Sequence, residues 1–445
     1  MIKFPNRSTL AFIVIALAAM LFHHPAGAIE VQRIKSPGGI EAWLVEDHTN
    51  PIITLRFAFR GGAALDPKGK EGLANLVSST MDEGAGILDS KTFQKTLEDK
   101  VITISFDTGQ DNFGGRMQTL VKHRDEAFNL LKLALTEPRF DAEPVERIRM
   151  QILVGLRRDE ENPHSLASRA LYQSLFKDHP YGRPVDGTKE SVKAITRDDL
   201  RAFVAQRLAR NNLVIGVVGD ITSEILKAKL DETFLKLPMH AKPWGLPDRR
   251  PAATGRTLVV DKDVPQSAIM FADVGLKRDH PDFYAAYVMN YILGGGGFTS
   301  RLYSEIREKR GLAYSVSTGL NPMEASGLVV GGAGTANARV KETLDVLRNE
   351  WRDMAREGAT EKELKDAKTY LTGAFPLRFS SSGRIARMLV GMQVAKLGID
   401  YLEKRNGLIG AVDRDAISRV AKKLLDPKRL TVVIAGKPKG VTTTP

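Results

Sequence analysis

L-V-I-G-V-V-G at residues 213–219 and L-T-V-V-I-A-G at residues 430–436 are two apolar runs, each closed by glycine. Each reads as a buried strand. The second glycine follows the first by 217 residues, and two other landmarks repeat at nearly that offset. Glu143 and Glu361, at the acidic openings of two helical stretches, lie 218 apart, and Pro51 and Pro265, each before an apolar strand, lie 214 apart. Three landmarks at nearly one spacing indicate an internal duplication. Each copy reads strands, helices, strands, helices, strand. That order predicts an α+β fold of two homologous repeats, each a mostly antiparallel sheet packed with helices. A doubly wound parallel sheet would need regular βαβ alternation, and the long helical blocks lack it.

Outward from these strands, the first copy opens with strands at 41–45 and 52–60, expected to pair with each other. Helices follow at 72–81 and 90–99, strands at 101–107 and 113–120, and helices at 125–136 and from Asp141 to the stop at Asn162-Pro163. A further helix covers 164–176, the H-P-Y-G at 179–182 is a loop with His179 in a structural role, and Thr196 with Asp199 forms a capping box. Residues 238–255 hold Pro238, Pro243, Pro247 and Pro251 without an apolar period, which predicts a semi-rigid linker. The second copy repeats the plan: strands at 258–260 and 268–274, also expected to pair; helices at 283–293 and 300–310; strands at 313–318 and 328–332. Helices at 340–356 and from Thr360, capped with Glu363, complete it. The expected organisation is a leader at 1–28, a first domain at 29–238, a linker at 239–255 and a second domain at 256–445.

Lys3 and Arg7, the apolar residues 10–22 and the small Ala26-Gly27-Ala28 form a secretory signal, which predicts a periplasmic or secreted protein. Retention of the leader as an anchor is the alternative. No later apolar run reaches membrane length, so no stable membrane insertion is expected after cleavage. The chain has no cysteine, which excludes disulfides, thiolate zinc sites and thiol catalysis. The net charge of +12 is interspersed with acids and lacks interleaved aromatics, so nucleic acid is not the expected partner. An anionic partner, a membrane surface or an acidic peptide remains compatible with that charge.

The stretch of greatest chemical interest is G-G-G-G-F-T-S-R-L-Y-S-E-I-R-E-K-R-G-L-A-Y, residues 294–314. Gly294, Gly295, Gly296 and Gly297 end one helix. They read either as a loop whose backbone can lie against a peptide or as a plain joint. Thr299 or Ser300 is expected to cap a second helix, and Gly311 to end it. Arg307 then lies in the last turn and Tyr314 at the start of a strand, close across a tight turn. A guanidinium and a phenol at one open corner can grip peptide carbonyls. The competing reading pairs Arg307 with Glu305 or Glu308 on the surface and buries Tyr314.

The two-domain repeat, H-P-Y-G…P-V-D-G-T at 179–188, the strand end at 213–220 and S-R-L-Y-S-E-I-R-E-K-R-G-L-A-Y together resemble the zinc peptidases that include pitrilysin, insulin-degrading enzyme and mitochondrial processing peptidase. The resemblance spans about residues 31–436. It implies an inverted zinc motif, H-x-x-E-H, on an early helix, where two imidazoles at i and i+4 hold the metal and a Glu at i+3 acts as general base. Here Asn75 stands at the first His position, Ser78 at the Glu position, Ser79 at the second His position, and Gly155 at the remaining ligand. No two of the eight histidines form H-x-x-x-H. The resemblance therefore implies no catalytic residue and no metal in this chain.

Arg307 and Tyr314 occupy the positions at which the family holds the substrate backbone and assists the tetrahedral intermediate. The implied role is a non-catalytic, substrate-binding subunit. It would form a heterodimer with a homologous H-x-x-E-H subunit that carries the zinc, and bring Arg307 and Tyr314 to that partner's peptide substrate. The alternative is a catalytically inert structural or peptide-holding homodimer of the same family.

Overall fold

A computed structural model describes residues 29–444, and the expected leader at 1–28 lies outside the described residues. Six strands form the first sheet: β1 (Gln32–Lys35), β2 (Glu41–Glu46), β3 (Ile52–Arg60), β4 (Thr103–Thr108), β5 (Asn112–Leu120) and β6 (Leu213–Gly219). Their order is β1-β2-β6-β3-β5-β4. Only the β2–β6 ladder is parallel. The expected pairing of the first two long strands is therefore wrong, because β6 inserts between β2 and β3. The reason lies in the apolar run itself. Ile215 and Val217 enter the helix-covered core on one face while Val218 packs on the other, so β6 takes a central place where both faces are covered.

Among the described residues, eight α-helices accompany this sheet: α1 (Leu73–Ser78), α2 (Ser90–Asp99), α3 (Arg124–Thr136), α4 (Ala142–Glu161), α5 (Pro163–Leu175), α6 (Lys189–Ala194), α7 (Arg197–Arg207) and α8 (Ser223–Phe234). Asn162 ends α4 and caps α5, its side-chain oxygen accepting from the amides of His164 and Ser165 behind Pro163. The Thr196–Asp199 capping box forms as expected. His179 is buried between the amide of Tyr181 and the carbonyl of Pro247, and burial lowers its pKa, in keeping with a structural role.

The second sheet holds β7 (Thr257–Asp261), β8 (Gln266–Val274), β9 (Ala313–Pro322), β10 (Gly327–Ala336) and β11 (Thr431–Gly436), in the order β7-β11-β8-β10-β9. Again the last strand inserts between the first two, parallel to β7, so the expected β7–β8 pair is also corrected. Its helices are α9 (Phe283–Asn290), α10 (Val340–Glu357), α11 (Glu361–Gly373), α12 (Ser382–Val394), α13 (Tyr401–Gly410) and α14 (Arg414–Leu424). Thr360 and Glu363 form the expected capping box of α11. The two strand-ending glycines are structural equivalents. Gly219 has φ 136° and Gly436 φ 151°, and each passes too close to the neighbouring strand to carry a Cβ.

The repeats exchange one helix each. Ala167, Leu171 and Leu175 of α5 pack on Ala272, Leu328, Val433 and Ala435 of the second sheet. In return, Ile385, Ala386, Leu389 and Met392 of α12 pack on Trp43, Val45 and Val218 of the first. The crossing is tightest at Gly216, where a Cβ would stand 2.8 Å from Leu389 Cβ and 2.9 Å from the Ala386 carbonyl oxygen. Each sheet thus has one face in its own helical core and the opposite face partly covered by the other repeat's helix. Residues 241–256, by contrast, carry neither helix nor strand.

Candidate functional site

The segment after the glycine run departs from a plain helix. Thr299 and Ser300 do not cap the next helical turn. Their hydroxyls donate back to the carbonyls of Gly296 (3.0 Å) and Gly297 (2.8 Å), which also accept from the backbone amides of Thr299 and Ser300 in the 3-10 turn at Gly297–Thr299. Tyr291–Gly295 and Tyr303–Glu308 are both π-helical. Such turns insert a residue into a helix and are common where a side chain must be re-aimed. The glycines have separate reasons to be small. A Cβ on Gly294 would meet Thr318, on Gly295 Asn290, and on Gly296 Tyr291, while Gly297 stands in the left-handed region at φ 58°. Internal packing and backbone conformation therefore account for all four.

Arg301 anchors this segment through its paired bonds to Glu363, at 2.6 and 2.7 Å. Gly311 ends it at φ 57°, with its amide on the Arg307 carbonyl (2.9 Å) and the Leu312 amide on the Ile306 carbonyl (2.8 Å). That closure turns the chain straight into β9. Ser315 pairs with Gly334, but Ala313 pairs with Thr335, so Tyr314 is the extra residue of a β-bulge. A bulge frees one side chain from the alternation of the strand. Tyr314 is 81% exposed, which overturns the reading of a core tyrosine.

Arg307 is not paired with Glu305 or Glu308. Glu305 is held by Lys309 and Arg310, at 2.5 and 2.6 Å. Among the described residues no carboxylate forms an ion pair with Arg307. Its guanidinium carbon instead lies 4.5 Å from the Tyr314 ring centre, 4.9 Å from Tyr303 and 5.9 Å from Phe298. Phe298 is 72% exposed and edge-on to Tyr303. The cation is thus fixed by three ring faces rather than by an anion, which leaves its N–H groups free to donate. Sequence reasoning missed Phe298 and Tyr303, although Tyr303 precedes Arg307 by one helical turn.

Asn75, Ser78 and Ser79 lie on or at the end of α1, and Gly155 lies on α4, which touches α1. The hydroxyls of Ser78 and Ser79 both donate to the Asn75 carbonyl at 2.9 Å. A Cβ at Gly155 would meet nothing within 4 Å. An amide, two hydroxyls satisfied by their own helix and a glycine do not fit zinc, which takes imidazole, thiolate or carboxylate donors. Among the described residues no three His, Cys, Asp or Glu gather into a metal-holding group. The buried face of α1 is intact: Leu73, Leu76 and Val77, with Thr80 just beyond the helix, are all buried, as their spacing predicts.

A cleft of about 970 Å³ opens elsewhere, lined by residues 107–112, by α5, and by Asn321 and Met323 at the far end of β9. Seven residue steps along the strand separate Tyr314 from Asn321, on the order of 23 Å. Beside the cleft, the Tyr181 hydroxyl donates to Asp111 (2.6 Å) and accepts from the Ala325 amide (2.9 Å), and Asp111 also accepts from the Glu324 amide (3.0 Å). This clasp joins the two repeats, so the cleft belongs to their junction.

Known proteins match both halves of the chain. A family model described as "Insulinase (Peptidase family M16)" matches residues 42–189, and one described as "Peptidase M16 inactive domain" matches residues 194–371. A Helicobacter pylori protein named non-peptidase homolog YmxG is 30% identical over 368 residues, covering 82% of this chain and 84% of its own. The chain belongs to peptidase family M16. Among solved M16 structures, the inactive domain from Pseudomonas fluorescens superposes with a TM-score of 0.86 at 30% identity, over 94% of this chain and 99% of that one. A Helicobacter pylori protease shares the fold at 18% identity, with a TM-score of 0.83 over 92% of this chain and 100% of its own. A Bacillus subtilis protein named uncharacterized zinc protease YmxG is 25% identical over 303 residues, covering 65% of this chain and 73% of its own. The fold class is that expected from the duplication, and the chain resembles the inactive members of the M16 family.

Proposed function

We propose that this chain is the non-catalytic, substrate-gripping subunit of a two-chain zinc endopeptidase that degrades peptides. It would be exported by its leader and would act in the periplasm or outside the cell. The observation that carries the reading is the corner at Arg307 and Tyr314: a cation without a carboxylate, stacked on a bulged and exposed tyrosine. Such a corner spends no donor on the described residues of its own chain. It supplies preorganised hydrogen-bond donors to an acceptor that comes from outside, as peptide carbonyls do.

In this reading a homologous M16 subunit with an intact H-x-x-E-H supplies the zinc, which activates water. The present chain contributes no base and no metal ligand. Arg307 and Tyr314 donate to carbonyl oxygens near the scissile bond, and the aromatic faces around Arg307 hold its planar fork in place. The test is reconstitution. The chain is purified alone and with the H-x-x-E-H protein that co-purifies with it, and cleavage of an unstructured peptide is followed with and without chelator. Chelator-sensitive activity of the pair, absent from this chain alone, is expected. Cleavage by this chain alone refutes the reading. A stable homodimer that never changes a partner's activity favours a structural role.

A further inference from the structure

The face of the first sheet that α12 partly covers carries an unbalanced basic row. Arg56 of β3 and Arg116 of β5 are direct partners in the antiparallel register. Gly216 continues the row on β6, and Ser105 continues it on β4. Like charges placed opposite each other on one sheet face are destabilising. A third cation joins from the other repeat. Arg387 is exposed on α12, next to the Ala386 carbonyl that presses on Gly216. The Arg56 side chain is only 16% exposed, and Asp107, at 3.0 Å, is its one ion-pair partner among the described residues. Asp107 is itself 65% exposed. Burial chiefly, and then Arg387 and Arg116, lower the Arg56 pKa against the pull of Asp107. Arg116 spends one donor on the Ser105 hydroxyl (3.1 Å), and Arg387 spends none among the described residues.

We infer that Arg56, Arg116 and Arg387 form a receiving site for side-chain carboxylates, so that the peptides held by this subunit are acidic ones. The inference rests on the peptide-binding reading above and names the class of peptide. Three guanidiniums from two repeats against one exposed carboxylate leave a net positive site with free planar donors, the geometry that suits carboxylates. The Arg307 corner selects no side chain, since it grips backbone. Charge selection would come from this row, and the cost of holding Arg56 opposite Arg116 would be offset by the ligand.

The full chain is titrated calorimetrically with three unstructured peptides of equal length. One is blocked at both ends and rich in glutamate, one replaces each glutamate by glutamine, and the third is the glutamine peptide with a free C-terminal carboxylate. The glutamate peptide is expected to bind at least roughly tenfold tighter than both others, as a few partly exposed charge contacts supply. Its advantage should shrink as salt is raised and fall to within about twofold in Arg116→Gln/Arg387→Gln. Single Arg387→Gln, on an exposed helix position, gives an intermediate loss if the double variant folds poorly. Equal binding of the glutamate and glutamine peptides overturns the inference while the peptide-binding reading stands. So does a preference that survives the double substitution, or inorganic phosphate displacing the glutamate peptide at equal concentration. Binding of none of the peptides overturns both.

Discussion

Replacing Tyr314 by Phe removes one oxygen and leaves the ring that lies 4.5 Å from the Arg307 guanidinium. The hydroxyl takes no hydrogen bond from the described residues, and the side chain is exposed, so the folded chain loses nothing that holds it together. Its unfolding free energy should stay within about 0.5 kcal/mol of the parent. Turnover is different. A donor aimed at an oxygen whose charge grows in the transition state is worth roughly 3–4 kcal/mol, so kcat of the reconstituted pair should fall by about 10²–10³ with little change in KM. Arg307→Ala removes the grip and the cation under three rings, and should lower kcat/KM by a similar factor. Arg307→Lys should rescue little, since an ammonium lacks the planar fork and stacks less well. The assay is steady-state cleavage of an unstructured peptide by the pair, with the amount of complex measured in parallel by size-exclusion chromatography. Unchanged kcat/KM in Arg307→Ala/Tyr314→Phe would refute the reasoning. So would a loss of activity that tracks entirely with loss of the complex.

The fold itself carries three further expectations. Burial raises the pKa of Asp66 to about 7 and of Asp82 to about 6, from an ordinary 3.8. The native chain therefore holds protons there that the unfolded chain has released, and this contribution to stability falls as pH rises from about 4 to 7. Asp66→Asn should flatten that slope in urea titrations at stepped pH, and an identical slope would contradict it. Leu389→Ala, at the crossing of α12 over Gly216, should cost about 2–5 kcal/mol in the same assay. Gly311→Ala places a Cβ at φ 57° and should cost about 1–2 kcal/mol while lowering pair activity, because the same turn aims Arg307 and the Tyr314 bulge.

The duplication was legible because two buried strands, two acidic helix openings and two prolines repeat at nearly one offset. Capping at Thr196 and Thr360 was legible because its signals are local. Strand order was not. The runs at 213–219 and 430–436 declare that both their faces are buried, but the insertion between strands more than a hundred residues away is a long-range choice that periodicity does not carry. The π-helical turns and the Tyr314 bulge were missed for a related reason. They arise where the glycine run, the Arg301–Glu363 anchor and the β9–β10 register must be met together. That Asn75, Ser78 and Ser79 bring no imidazole, thiolate or carboxylate was readable from residue identity, whereas the cradle of Phe298 and Tyr303 around Arg307 needed coordinates.

The reciprocal placement of α5 and α12 has a consequence for how the chain holds together. Each half depends on the other to shield part of an apolar sheet face, and the stretch at 241–256 that connects them carries neither helix nor strand. A single protease nick in that stretch should leave a molecule that still migrates as one body, with two fragments interlocked like hooked fingers. Either fragment expressed by itself would present the bare ledge its missing sibling was shaped to cover, and would aggregate.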